Sequence, residues 1–92
     1  MTIEVRIPTI LRTYTDGAKS VEGSGATLAE LLGDLDSRHL GLRERLVDGS
    51  GLRRFVNVYL NDEDVRFLGG LETPVQDGDT VTVLPAVAGG RR

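Results

Sequence analysis

The stretch most suited to chemistry is LPAVAGGRR, residues 84–92, with its pair Gly89-Gly90. Two residues without a Cβ can follow a channel too narrow for any side chain and take whatever φ that channel imposes. Pro85 stiffens the base of such an arm. Leu84 is expected to be the last residue held by a sheet, and the six steps from it to Gly90 reach about 20 Å when extended. A free carboxylate on Gly90 would be ionised and unreactive at neutral pH, so using it requires ATP to convert it to an acyl-adenylate. That step needs a partner enzyme.

The chain itself has little to catalyse with: one histidine, one lysine and no cysteine in 92 residues. The missing cysteines exclude disulfides, zinc–thiolate sites, iron–sulfur clusters and thiol nucleophiles. His39 reads as a solvated residue near a helix C-terminus, where the dipole favours it, and not as a ligand or base. Asp62-Glu63-Asp64 lacks the ligand periodicity of a calcium loop and reads as a solvated turn. Lys19 reads as polar surface. Gly69-Gly70 lies between elements and reads as a turn. With 11 basic against 14 acidic residues the formal charge is −3, and Arg53-Arg54 and Arg91-Arg92 are pairs, not stripes, so no nucleic-acid partner is expected. No apolar run approaches the ~18 residues that span a bilayer. MTIEVRIPTI at the start carries neither the basic stretch nor the apolar core of a secretory signal. No membrane association, no bound cofactor and a cytoplasmic location are expected.

The arm needs a scaffold, and the periodicities describe one. TIEVRI, residues 2–7, alternates Ile3, Val5 and Ile7 against Thr2, Glu4 and Arg6, the pattern of a half-buried strand. Pro8 ends it. After a polar loop with Asp16-Gly17, AKSVEG, residues 18–23, makes the second arm of a hairpin, broken by Gly23-Ser24-Gly25. Thr27 with Glu30 forms a capping box that starts a helix. Leu28, Leu31, Leu32 and Leu35 make one apolar stripe on it. Gly41 is the expected stop, and LRERLVD adds a helical turn or two through Leu42 and Leu46. DGSG, residues 48–51, reads as loop. RFVNVYL, residues 54–60, is the clearest strand, with Val56, Val58 and Leu60 inward and Phe55, Asn57 and Tyr59 outward. NDED is a turn, VRFL a short strand, GGLETPVQDGD turns, and TVTVL the last strand.

Hairpin, helix, then further strands give an α+β layer pair with one main helix on a mixed sheet. The best-matched β-branched faces, Ile3/Val5/Ile7 and Val81/Val83, place the first and last strands side by side and parallel at the sheet centre. This is a β-grasp, the ubiquitin-like fold, over residues 1–84, followed by a flexible tail over 85–92. Phe55, Tyr59 and Leu84 share the face left uncovered by the helix and form a docking patch beside the root of the arm.

DGDTVTVLPAVAGG resembles the C-terminal signature of the ubiquitin-like sulfur carriers of the ThiS and MoaD type. IPTILR and RFVNVYLNDEDVRFLGGL are most similar to the CysO branch, and the likeness covers residues 3–90. The resemblance implies that a ubiquitin-activating-like enzyme adenylates the terminal glycine with ATP and that sulfur replaces AMP, leaving a thiocarboxylate. It carries the acceptor role to Gly90, passage through the partner's cleft to Val87, Ala88 and Gly89, and docking to Leu84. It further implies two partners: a cysteine synthase whose pyridoxal phosphate holds an aminoacrylate for the thiocarboxylate to attack, and a JAMM-type zinc metallopeptidase that releases cysteine from the carrier's end.

Arg91-Arg92 departs from that pattern, since members of the branch usually end at the second glycine. Either the arginines are trimmed from a precursor or they are a remnant of cloning; the precursor is preferred. A metallopeptidase is the expected agent, because a zinc-bound hydroxide can cut an extended glycine-flanked tail without side-chain contacts. Their removal would leave 9 basic against 14 acidic residues, a charge of −5, favouring a basic cleft on the partner. A protein modifier joined through Gly90 to lysines of other proteins, a sulfur donor for thiamin, molybdopterin or a secondary metabolite, and a passive binding module remain alternatives.

Overall fold

The computed structural model describes residues 2–49, 51–53 and 56–85. The first strand, β1 (Ile3–Arg6), buries every second residue, as the alternation requires. Pro8 sits at the head of a 3-10 helix, Thr9–Thr15, where a polar loop was expected. Leu11 and Thr15 anchor that turn because both are buried, Thr15 donating its hydroxyl proton towards Arg12 O and Ala18 O (3.3 and 3.0 Å). β2 (Ser20–Gly23) returns antiparallel to β1 with Val5 opposite Val21. The hairpin stands, with its second strand starting two residues later than expected.

α1 (Leu28–Arg38) starts at Thr27, whose Oγ1 accepts the Glu30 amide at 3.3 Å. The Glu30 carboxylate accepts the amide of Ala26 at 3.0 Å, one residue before the cap position that a capping box would use. Leu28, Leu31, Leu32 and Leu35 are each at most 1% exposed, so the stripe lies wholly in the core. The helix ends before Gly41: His39 is its C-cap and donates its amide to Leu35 O. Gly41 instead opens α2 (Leu42–Leu46) at φ 91°, a left-handed conformation natural to glycine. Leu42 and Leu46 are fully buried. The expected loop at 48–51 contributes to a small hairpin, β3 (Val47–Asp48) with β4 (Gly51–Leu52).

β5 (Val56–Leu60) buries Val56 and Val58, while Leu60 is half-buried against the core. Asn61 and Asp62, at φ 50° and 77°, make the tight turn into β6 (Glu63–Asp64), two positive φ values that match the twist of a two-residue hairpin. The expected strand VRFL is a 3-10 helix, Val65–Phe67. Asp64 causes the change by accepting the Arg66 amide at 2.9 Å; this turns the chain so that Val65 is buried and Phe67 is 87% exposed. Gly69-Gly70 leads into a second 3-10 turn, Gly70–Glu72, as a turn reading requires.

The last strand, β7 (Thr80–Pro85), completes a five-stranded sheet in the order β2-β1-β7-β5-β6. β7 runs parallel to β1 and antiparallel to β5. Ile3, Val5, Val58, Val81 and Val83 meet the leucines of α1 in a single cluster, at most 2% exposed. The architecture is a β-grasp, a mixed sheet packed on one main helix.

Candidate functional site at the root of the C-terminal tail

The tail leaves from β7, which lies at the middle of the sheet with β1 on one side and β5 on the other. A strand held on both edges cannot swing, so the direction in which the chain departs is set. Pairing continues one residue beyond Leu84, with Pro85 opposite Val56. A proline is tolerated there because the last residue of a strand need not donate an amide to the ladder. Since β1 and β7 are parallel, the end of β1 and the following Ile7 and Pro8 lie beside the end of β7.

Directly paired residues share a face, so the open face can be read off the register. One row crosses all five strands: Ser20, Arg6, Thr82, Tyr59 and Asp64. Leu84 stands opposite Asn57 on the same face and is 44% exposed; Tyr59 is half-buried. Thus two of the three expected docking residues share the uncovered face, while Phe55 lies outside the described residues. Polar neighbours separate the pair: Thr82 is Tyr59's direct partner, and Asn57 faces Leu84. Asn57 is itself held by Arg66, whose guanidinium donates to Asn57 Oδ1 (2.8 Å), Arg53 O (2.9 Å) and Val56 O (2.6 Å). Arg66 therefore clasps the beginning of β5 from the sheet edge, a role without a signal in the sequence, because it joins residues on separate elements.

Two grooves flank the end of β7, of about 680 and 470 Å³. Pro8, Ile10, Val83, Leu84 and Pro85 line both and so form the ridge between them. Ile10, 68% exposed, is the apolar neighbour that sequence reasoning missed; the signal was an isoleucine in a stretch read as polar loop. Around the ridge stand Arg6, Arg12 and Lys19 on one side and Arg45 and Arg53 on the other. Val87, Ala88, Gly89, Gly90, Arg91 and Arg92 lie outside the described residues.

Among the described residues no group of histidines and carboxylates could hold a metal ion, and no helix is long and apolar enough to cross a membrane. His39 caps the C-terminus of α1. Among the described residues at the root no nucleophile stands beside a base.

Residues 5–90 match the ThiS family, from the middle of β1 to the second glycine of the tail pair. The chain belongs to the ThiS family. The sulfur carrier protein CysO of Mycobacterium tuberculosis is 58% identical over 98% of this chain and the whole of that relative. A chain in the crystal structure of the Amycolatopsis orientalis BexX/CysO complex superposes with a TM-score of 0.91 at 64% identity, covering 96% of this chain and 99% of that one. Small archaeal modifier protein 3 of Haloferax volcanii is 36% identical over 98% of this chain and all of the modifier. A protein of similar sequence and fold has thus been crystallised with a partner protein.

Proposed function

We propose that Gly90 is the residue on which this ThiS-family chain carries sulfur. The chain is a sulfur carrier, a thiocarboxylate donor consumed and regenerated by enzymes, and a cosubstrate with no active site of its own. A Gly90 carboxylate oxygen attacks the α-phosphorus of ATP on a ubiquitin-activating-like enzyme, and pyrophosphate leaves. Sulfur then attacks the acyl carbon, the C–O bond to AMP breaks, and a C-terminal thiocarboxylate remains. The acceptor is a pyridoxal-phosphate-dependent cysteine synthase, and a JAMM-type zinc metallopeptidase afterwards frees the cysteine from Gly90.

The single observation that carries this reading is that the family match closes on Gly90, at the end of a chain launched from the centre of the sheet. Within it, Val87, Ala88 and Gly89 thread the partner's cleft, Leu84, Phe55 and Tyr59 dock, and Arg91-Arg92 is removed before activation. Residues 1–84 serve as the folded body and 85–92 as the delivery arm, with Pro85 at the joint. The test is to incubate the chain ending at Gly90 with adenylating enzyme, ATP and a sulfide source, and to record intact mass. Exchange of one oxygen for sulfur is expected first, then a heavier species carrying cysteine on Gly90 when the cysteine synthase and its substrate are added, and return to the free carboxylate only when the metallopeptidase follows. Consumption by a thiamin or molybdopterin enzyme instead would move the acceptor.

The 36% identity to an archaeal modifier supports a second reading, conjugation through Gly90 to lysines of other proteins. Adenylation is common to both fates, and they part at the product: a modifier gives larger species that survive treatment with small nucleophiles.

A further inference from the structure

The two grooves at the tail root are lined by five of the chain's 11 basic residues and by one of its 14 acidic residues, Glu4. In a molecule of net charge −3 that is a strong local reversal of sign. The cations are also unspent within the fold. Of these five, Arg6 alone has a carboxylate in reach among the described residues, Glu4 at 3.8 Å. Arg12 donates to the Ile7 carbonyl (3.1 Å) and Arg53 to the Glu44 carbonyl (2.8 Å). Arg45 lies 5.5 Å from the centre of the Tyr14 ring and bonds its hydroxyl. These neutral partners fix where the guanidinium groups stand and leave their charge uncompensated. Lys19 makes no side-chain bond among the described residues and is exposed.

Between the two basic banks runs the ridge of Ile10, Leu84 and Pro85, with Ile10 and Leu84 68% and 44% exposed. An apolar centre within a polar rim is the anatomy of a docking surface, and a rim of one sign selects a partner of the other. We propose that this chain docks on an acidic surface of the adenylating enzyme, through the Ile10–Leu84–Pro85 ridge and its rim of Arg6, Arg12, Lys19, Arg45 and Arg53. This rests on the sulfur-carrier reading and reverses the polarity that net charge alone suggests: the partner's surface here is acidic, not basic. The ridge orients the tail, and the rim steers the approach and rejects basic partners. Because the rim surrounds the root and not the glycines, it acts on binding and leaves the chemical step alone.

The experiment measures ATP-dependent pyrophosphate release by the adenylating enzyme with the chain ending at Gly90. Lys19→Glu, and Lys19→Glu with Arg12→Glu, are compared with Arg43→Glu, a reversal on the exposed side of α2 and outside both grooves. Lys19→Glu breaks no bond in the fold, so it reads docking even if the double variant is less stable. The expected result is a KM raised about 10-fold or more by the double reversal, a smaller rise for Lys19→Glu, unchanged kcat, and no effect of Arg43→Glu. For the unsubstituted chain, raising salt from about 0.05 to about 0.5 M should raise KM, and this dependence should flatten in the reversed variants. An unchanged KM in both reversals, with the unsubstituted chain fully active, overturns the proposal and leaves the functional reading intact. A reversal that changes only the mass of a self-associated species in sedimentation overturns it in favour of a second copy of this chain. Failure of the unsubstituted chain to be adenylated at all would sink the functional reading, and this proposal with it.

Discussion

On β7, Val81 and Val83 are sealed beneath α1, whereas Thr82 and Leu84, each one residue further along, stand on the open face beside the tail. The two faces share a backbone and hydrogen bonds, so the difference lies wholly in what covers them. The covered face holds the leucine stripe and the valines, at most 1% exposed on α1 and β7, and its chemistry is burial. The open face carries charges, hydroxyls and a few partly exposed apolar groups, too mixed to pack on anything of this chain. The comparison teaches that a residue on one face can be tested for stability and its sequence neighbour for binding, with little crosstalk, because a strand separates its two sets of side chains completely.

The largest effect expected lies beyond both faces. Extending the chain from Gly90 to Arg92 converts the carboxylate proposed to react into an amide, so pyrophosphate release and sulfur incorporation should fall to background. Equal activity of both forms, with intact mass showing no trimming, would mean that the tail's terminus is not the reacting group. Next comes the covered face: Leu32→Ala should cost about 2–5 kcal/mol in urea denaturation, with unchanged kcat for the fraction that remains folded. A loss under ~0.5 kcal/mol would place Leu32 outside the core, where it cannot be if α1 faces the sheet.

The open face should give the reverse pattern. Leu84→Asp places a charge on the ridge, and a KM rise of about 30-fold is expected, equivalent to a 2 kcal/mol docking residue. Its urea midpoint should stay close to that of the unsubstituted chain; a large stability loss would blur the division between the faces. The smallest effect belongs to the clasp at the edge. Arg66→Ala removes three hydrogen bonds to Asn57, Arg53 and Val56, but from an exposed side chain, so a loss of about 1 kcal/mol is expected. Arg66→Lys should recover only part of it, since an ammonium cannot reproduce the planar fork that meets several acceptors at once. Full rescue by lysine would show that charge, and not geometry, holds the start of β5.

Wherever local chemistry decides the outcome, residue types alone were sufficient. Alternation of Ile3, Val5 and Ile7 against Glu4 and Arg6 specifies a strand because only one register buries all three. The stripe from Leu28 to Leu35 and the Thr27–Glu30 cap specify a helix and its beginning, both being signals within eight or nine residues. The parallel pairing of β1 and β7 was legible too, from their well-matched β-branched faces, Ile3/Val5/Ile7 and Val81/Val83. The lack of cysteine and the signature ending in Gly89-Gly90 limited the function to one served by partners. Other features depended on how a segment meets the rest of the fold. VRFL has strand-forming residues, yet Asp64 caps it into a helical turn and the core accepts Val65 while leaving Phe67 outside. Gly41 looked like a helix stop, but its left-handed backbone begins the next helix against Tyr14. The basic rim draws Arg6, Lys19, Arg45 and Arg53 from four different parts of the chain, so it has no local pattern. It exists only because the sheet and its flanking turns bring those parts to the place where β7 lets the tail go.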